Sequence, residues 1–290
     1  MGKQTKQKGS HFGGEWTIQK LYIIEEYAKT YLIALKNQKV RKIYIDGFAG
    51  SGKTELKHES KSGEQCAAII DGSALLSLKY DFDEYYFLEL DEDRIKLLEE
   101  NVENSYPQKI DKIHFISGDC NEELTKVLAR TTIYDRCLMF LDPYALELKW
   151  ETLEKISKCN RVDLWYLFPL SVVRLMAKNK DISDTNKEKI SSILGNQNWL
   201  DELFVESPQM SFFDEPQYER VEYEKVLEYI KARFSTIFPF VSPDSKLLKN
   251  KSKNAPMFML CFMMTNKSAK AQSLASKLVK GIIKSAEKIG

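Results

Sequence analysis

The sequence contains no CxxC pair, and its five cysteines, Cys66, Cys120, Cys137, Cys159 and Cys261, are odd in number and scattered. That excludes a disulfide framework as the basis of the fold. The three histidines, His11, His58 and His114, are too dispersed to complete a zinc site, so no metal is expected. Such cysteine usage fits a reduced, cytoplasmic enzyme. No apolar run approaches the length of a membrane span, which leaves no membrane partner to expect. The opening residues, MGKQTKQKGS, have no apolar segment behind them; no secretory signal is expected, and residues 1–12 read as a disordered tail. Charge of one sign is also missing: 43 Lys+Arg against 42 Asp+Glu leave a net charge of +1. There is thus no bulk electrostatic case for nucleic acid, although a local basic patch would still serve RNA or DNA. The sequence shows no internal repeat.

What is present is apolar content of 43% in 290 residues, enough for one large domain, here expected over 13–290. The chain is organised around Lys42-Ile-Tyr-Ile-Asp-Gly-Phe-Ala-Gly-Ser-Gly-Lys-Thr54. Ile43 to Ile45 reads as a buried strand running into a glycine-rich turn, where the backbone can approach a nucleotide-like ligand closely. Two readings fit the turn. Gly47 to Thr54 matches the GxxxxGK[ST] phosphate loop. Asp46 followed by Gly47, Gly50 and Gly52 also matches the first motif of S-adenosylmethionine (SAM) methyltransferases.

A helix precedes the turn. Thr17 is placed to cap it, and Leu21, Ile24, Ala28, Tyr31 and Leu35 recur at helical steps, with His11, Trp16 and Lys20 grouped at its start. Glu55 to Gln65 reads as a mobile loop, with helical pattern resuming only at Gln65–Ile70 and Gly72–Leu78; a phosphate loop would feed directly into its helix. Strands are expected at Tyr85–Leu88, Ile113–Ile116, Cys137–Leu141, Val162–Phe168 and Met257–Met264. Helices are expected between them, at Tyr218–Arg233 and at Ala269–Ile283. From Met176 to Pro216 the strand pattern lapses. Ile190–Phe204 looks helical, and a helical insertion is expected at about 171–217. The alternation predicts an α/β, doubly wound, mostly parallel sheet of seven strands covered on both faces. Ligands bind such sheets beyond the carboxyl ends of the strands, where this chain places Asp46, Glu89, Asp119 and Asp142.

Carboxylates suit SAM, with its sulfonium and ribose diol, better than a triphosphate, which they would repel unless they held magnesium. Leu138-Met-Phe-Leu-Asp142 could do so in an ATPase. The Asp142-Pro143-Tyr144 turn that follows instead suits an exocyclic amine, with the Asp accepting its hydrogens and an aromatic ring, Tyr144 or Phe168, stacking on the base. Arg161 and Arg174 are candidates to steer phosphates.

Gly14-Glu-Trp-Thr-Ile-Gln-Lys-Leu21, Tyr44-Ile-Asp-Gly-Phe-Ala-Gly-Ser-Gly52, Gly72-Ser-Ala-Leu75, Tyr85-Tyr-Phe-Leu-Glu-Leu-Asp91, Gly118-Asp119, Phe140-Leu-Asp-Pro-Tyr144 and Asp163-Leu-Trp-Tyr-Leu-Phe-Pro169 together resemble the three-Cys-motif partner proteins, TcmP. The resemblance implies a partner protein carrying a three-cysteine motif, which this chain itself lacks. The layout is also distantly similar to class I SAM-dependent enzymes that methylate N6 of an adenine in large-subunit ribosomal RNA. Those carry Asp-Pro-Pro-Tyr after the fourth strand, where this chain has Asp142-Pro143-Tyr144-Ala145, one proline fewer. The resemblance implies a class I methyltransferase-like Rossmann fold. SAM would be lined by Asp46, Gly47, Phe48, Gly50, Gly52, Ser73, Glu89, Asp119 and Cys120, with Glu89 on the ribose and Asp119 on the adenine. Lys20, Asp142, Pro143 and Tyr144 would serve catalysis. A SAM-binding scaffold without catalysis remains the alternative, and a phosphate-loop NTPase a third.

Overall fold

The centre of the sheet is the apolar run before the glycine turn. In the computed structural model, which describes residues 15–59, 65–177, 179–207, 217–250 and 254–289, that run is β1 (Arg41–Asp46), reached through α1 (Glu15–Ala34). There follow β2 (Lys53–Glu59), β3 (Gln65–Asp71), α2 (Ser73–Ser77), β4 (Glu84–Glu89), α3 (Glu92–Ser105), β5 (Ile113–Ser117), α4 (Cys120–Arg130), β6 (Asp135–Leu141), α5 (Trp150–Ser157) and β7 (Val162–Pro169). The rest comprises α6 (Ser171–Leu175), α7 (Asp184–Leu194), α8 (Trp199–Leu203), β8 (Phe204–Glu206), β9 (Tyr218–Arg220), α9 (Tyr223–Ser235), β10 (Phe240–Asn250), β11 (Ala255–Met264) and α10 (Ala269–Ala286).

Seven strands form one sheet in the order β10-β11-β7-β6-β1-β4-β5, with β11 antiparallel to both neighbours and the other pairs parallel. This is the doubly wound, mostly parallel architecture of the class I methyltransferase-like Rossmann fold. Side-chain alternation along β1 shows both faces covered. Ile43 and Ile45 join Leu124, Val127, Leu153, Ile156 and Ile230 in one core, while Tyr44 joins Ile24, Tyr27, Leu75, Leu98 and Val279 in the other. Every residue of β7 is buried, as a strand packed on both faces requires. From β1 the chain winds outward through β4 to β5, then returns past β1 to β6 and β7. The winding therefore reverses between β1 and β6, and the crevice beyond their carboxyl ends is the switch point where such folds bind ligands.

Several expectations change. The described residues of 53–71 include no helix: β2 and β3 pair antiparallel, Lys53 with Asp71 through Glu59 with Gln65, as a hairpin outside the main sheet. None of the side chains described on it, 53–56 and 67–71, is buried, so the ladder forms without the alternation that burial imposes. β10 was not expected; at the sheet edge it buries only Ser242 and Leu248, too few for alternation to show. The segment read as one helix over Ile190–Phe204 breaks at Gly195, which has a φ of 69° and ends α7. Residues 218–220 are strand, and the helix there begins at Tyr223. Thr17 lies inside α1 instead of capping it, and its buried hydroxyl has no hydrogen-bond partner among the described residues. The expected tail 1–12, with His11, and Gly14 of the first motif lie outside the described residues, as do 60–64 of the expected mobile loop and 208–216 of the expected insertion. No helix among the described residues is long and apolar enough to cross a membrane.

Candidate active site

The turn after β1 is held by backbone and carboxylate together. The Gly47 N–H donates to the Phe140 carbonyl on β6 (3.0 Å), Ala49 N–H to the Leu88 carbonyl on β4 (2.8 Å), and Gly50 N–H to Glu89 Oε2 (2.9 Å). Gly50 and Gly52 adopt φ of 59° and 77°, a backbone region that residues with a Cβ rarely enter. A Cβ on Gly47 would lie 2.4 Å from a Leu141 methyl and 2.9 Å from the Cys120 sulfur, so any larger residue there would push those two side chains aside. At Gly50 a Cβ would meet nothing within 4 Å; the turn opens onto the crevice.

Asp46 ends β1 and is fully buried. Its Oδ2 accepts from the Ser73 hydroxyl (2.6 Å) and Oδ1 from the Phe48 N–H (3.1 Å). Burial pushes its carboxyl up, the Ser73 and Phe48 donors pull it back, Asp142 adds to the rise and Lys20 opposes it; the pKa stands at about 7. The folded carboxyl holds its proton to a higher pH than the unfolded one, with an ordinary value of 3.8, so stability falls as pH rises from about 4 to 7. The cost above that window is on the order of 4 kcal/mol. Asp46→Asn is expected to raise the melting temperature at pH 8 by several degrees and to leave it nearly unchanged at pH 4, since the amide oxygen can accept from Phe48 while its N–H donates to Ser73. Thermal denaturation at the two pH values checks this; equal shifts at both would contradict it.

Across the switch point stands Asp142, whose Oδ2 accepts from Lys20 Nζ at 2.5 Å. α1 delivers this lysine. Its side chain is only 9% exposed, and its ammonium lies 5.4 Å from the Trp16 ring centroid and 5.8 Å from that of Phe140, within cation–π range. Pro143 beyond it is buried, and Tyr144 is 64% exposed.

The other end of the crevice is lined by acids. Glu89 uses Oε2 on Gly50 and Oε1 on the Asp91 N–H (3.1 Å), and each oxygen keeps a further lone pair. Asp119 caps α4, with Oδ1 accepting from the Asn121 N–H (2.8 Å) and side-chain amide (2.9 Å). Glu147, which sequence reasoning missed, belongs to the same group: partial burial, then the charges of Glu89 and Asp119, hold its carboxyl above the ordinary range. Its one sequence signal was an acid in the loop after Asp142. Asn121 was likewise missed; it was visible only as a polar residue two places beyond a strand-end acid.

The structure thus brings together Lys20, Asp46, Gly47, Phe48, Gly50, Gly52, Ser73, Glu89, Asp119, Asp142, Pro143 and Tyr144 at the carboxyl ends of β1, β4, β5 and β6. Cys120 is there in backbone only: its thiol is buried under Gly47, and burial, followed by the charges of Asp119, Asp46 and Glu147, raises its pKa. Phe168 is not at the surface for stacking; it is fully buried, edge-on to Tyr166 and Phe234 at 5.7 Å. Arg161 precedes β7 at the opposite end of the strands and donates to Thr131 (2.8 Å), so it cannot steer a ligand here. Arg174 is exposed at the end of α6, on the crevice side. The phosphate-loop reading fails on geometry. Lys53 is an exposed residue opening a strand, no helix follows the turn, and the Gly50 N–H that would cradle phosphate already serves a carboxylate.

No protein-family model matches the chain, and no curated protein matches it. Among solved structures it is similar to protein LPL1258 from Legionella pneumophila str. Philadelphia 1, described as DUF519, at 12% identity over 93% of this chain and 91% of that one, with a TM-score of 0.49. The methyltransferase domain of bacterial CtHen1-C is similar at 8% identity over 83% and 98%, with a TM-score of 0.37. The N-terminal domain of EvdMO1 with SAH bound is similar at 10% identity over 83% and 80%, with a TM-score of 0.39. Likenesses this faint say nothing of ligand or reaction, and the strand order itself describes the fold.

Proposed function

We propose that the chain is a SAM-dependent methyltransferase-like protein of the three-Cys-motif partner family, acting on an exocyclic amine of a base in RNA or DNA. The observation that carries this reading is the set of carboxyl groups at the strand ends: Asp142, Glu89 and Asp119 line the crevice around a glycine turn, with Asp46 and Glu147 beside them and Lys20 paired to Asp142. Such a crevice favours a cationic ligand and opposes a triphosphate. Its donors and acceptors fit SAM part by part. Glu89 has lone pairs to accept from a ribose diol. Asp119 Oδ2 has no donor among the described residues and can accept from an adenine amine, and Asp46 holds the turn near the methionine end. Ser73 and the Phe48 N–H keep Asp46 in place, and Gly50 leaves open room that a side chain would fill.

Bound SAM would supply a methyl group already activated on a sulfonium. The protein's share is alignment and exclusion of water. Asp142 and the Pro143 carbonyl would accept the hydrogens of the target amine and aim its lone pair, while the exposed Tyr144 ring would stack on the base, which must be unpaired or flipped out. Of the five cysteines, the four whose side chains are described are free and three of them are buried, which agrees with a reducing compartment such as the cytoplasm.

One observation favours the alternative of a non-catalytic SAM-binding partner for a three-Cys-motif protein: Lys20 already satisfies Asp142. Incubation with tritiated SAM and single-stranded RNA and DNA oligonucleotides separates the two. Label in the bases supports the enzyme; SAM binding with no label in either polymer supports the scaffold. In the same assays Lys53→Ala is expected to leave SAM affinity within about twofold of the parent, because an exposed side chain on a separate hairpin meets no part of the crevice. A tenfold loss by calorimetry would contradict this.

A further inference from the structure

One amide ties the loop after β6 to the turn after β5. Asn121, nearly buried, donates its two side-chain hydrogens to Asp119 Oδ1 (2.9 Å) and the Glu147 carbonyl (3.0 Å). Its Oδ1 accepts from the Lys149 N–H (3.0 Å) and the Thr152 hydroxyl (2.7 Å). The side chain has two donors and two acceptor positions, and all four are used. The amide cannot be turned over, because the Glu147 carbonyl only accepts and the Lys149 N–H only donates. Lys149 is the residue just before α5, and its own side chain makes no cap, so Asn121 also satisfies the start of that helix from outside. Between the fixed points runs the loop 142–149, tied at one end by Lys20 on Asp142 and at the other by Asn121. Within it Ala145 has a φ of 54°, a conformation an alanine holds only under constraint.

We propose that Asn121 is a positioning residue: it locks the loop presenting Pro143 and Tyr144 onto the Asp119 turn, so that the base end of the cofactor site and the acceptor side move as one unit. The coupling rests on the methyltransferase-like reading above; the lock itself does not. Loss of the amide's donors frees the loop at Glu147, while the remaining oxygen still accepts from Lys149 and Asp142 stays paired to Lys20.

Amide hydrogen exchange on the full chain tests this, with Asn121→Asp and Thr152→Val. The aspartate has the same shape but can donate to neither Asp119 nor the Glu147 carbonyl. The valine keeps the packing at 152 and removes one donor, which leaves a folded comparison should the aspartate variant fail to fold. Without ligand, exchange over 145–148 is expected to rise about tenfold or more in Asn121→Asp, where Glu147 is released, and by a smaller factor in Thr152→Val. With S-adenosylhomocysteine, the parent is expected to gain protection over the same residues, and a variant that still binds the ligand is expected to gain little. Unchanged exchange in both variants would overturn the lock, and equal protection on binding would overturn the coupling. Should the parent not bind S-adenosylhomocysteine, the cofactor reading falls and the coupling with it, while the ligand-free comparison still decides the lock.

Discussion

Glu89→Ala is expected to weaken binding of S-adenosylhomocysteine by about 10²-fold or more while the chain stays folded. Two hydrogen bonds from a ribose diol to a carboxylate are worth about 1.5–3 kcal/mol each, and a tenfold change in affinity corresponds to about 1.4 kcal/mol. The same carboxylate accepts the Gly50 and Asp91 N–H groups, so its loss also loosens the glycine turn against β4. Glu89→Gln should fall between the two, since one amide oxygen can serve only part of what two carboxylate oxygens serve. Titration calorimetry reads both variants, with thermal melting as the check on folding. Parent-like affinity in Glu89→Ala would remove this residue from the cofactor site.

Asp142→Ala is expected to do the reverse, leaving cofactor affinity within about threefold and lowering methyl transfer by about 10³-fold. An interaction made only to the reacting amine affects turnover and not cofactor binding. The alanine variant also strands the nearly buried Lys20 ammonium without its partner, which makes Asp142→Asn the cleaner companion: its oxygen can still accept from Lys20. Transfer is measured with whichever oligonucleotide takes label from the parent. Equal losses of cofactor affinity and transfer would show that Asp142 acts on the cofactor instead.

The sheet was legible wherever a strand is buried on both faces. β1, β6 and β7 announce themselves as apolar runs, and an acid or glycine directly after such a run is fixed in space by the strand that carries it. That is why Asp46, Glu89, Asp119 and Asp142 could be placed together from sequence. β10 was illegible because an edge strand has too little buried surface to impose alternation. The β2–β3 hairpin was illegible because none of its described side chains is buried: the Lys- and Glu-rich β2 reads as loop, and the apolar Cys-Ala-Ala-Ile-Ile of β3 reads as helix. Phe168 misled for the opposite reason: an aromatic at a strand end looks available, yet both faces of β7 are covered and Phe234 of α9 lies against its ring. Asn121 and Glu147 lay beyond reach because their roles depend on contacts between the ends of different strands, and spacing along the chain carries no record of which loops meet.

The central claim is that the crevice between β1 and β6 takes an S-adenosyl ligand. Calorimetric titration of the parent protein with SAM, S-adenosylhomocysteine and Mg-ATP tests it most directly. The account predicts saturable binding of both S-adenosyl compounds at one site per chain and none of Mg-ATP. Binding of Mg-ATP alone, lost in Lys53→Ala, would contradict it and restore the glycine turn to a phosphate loop.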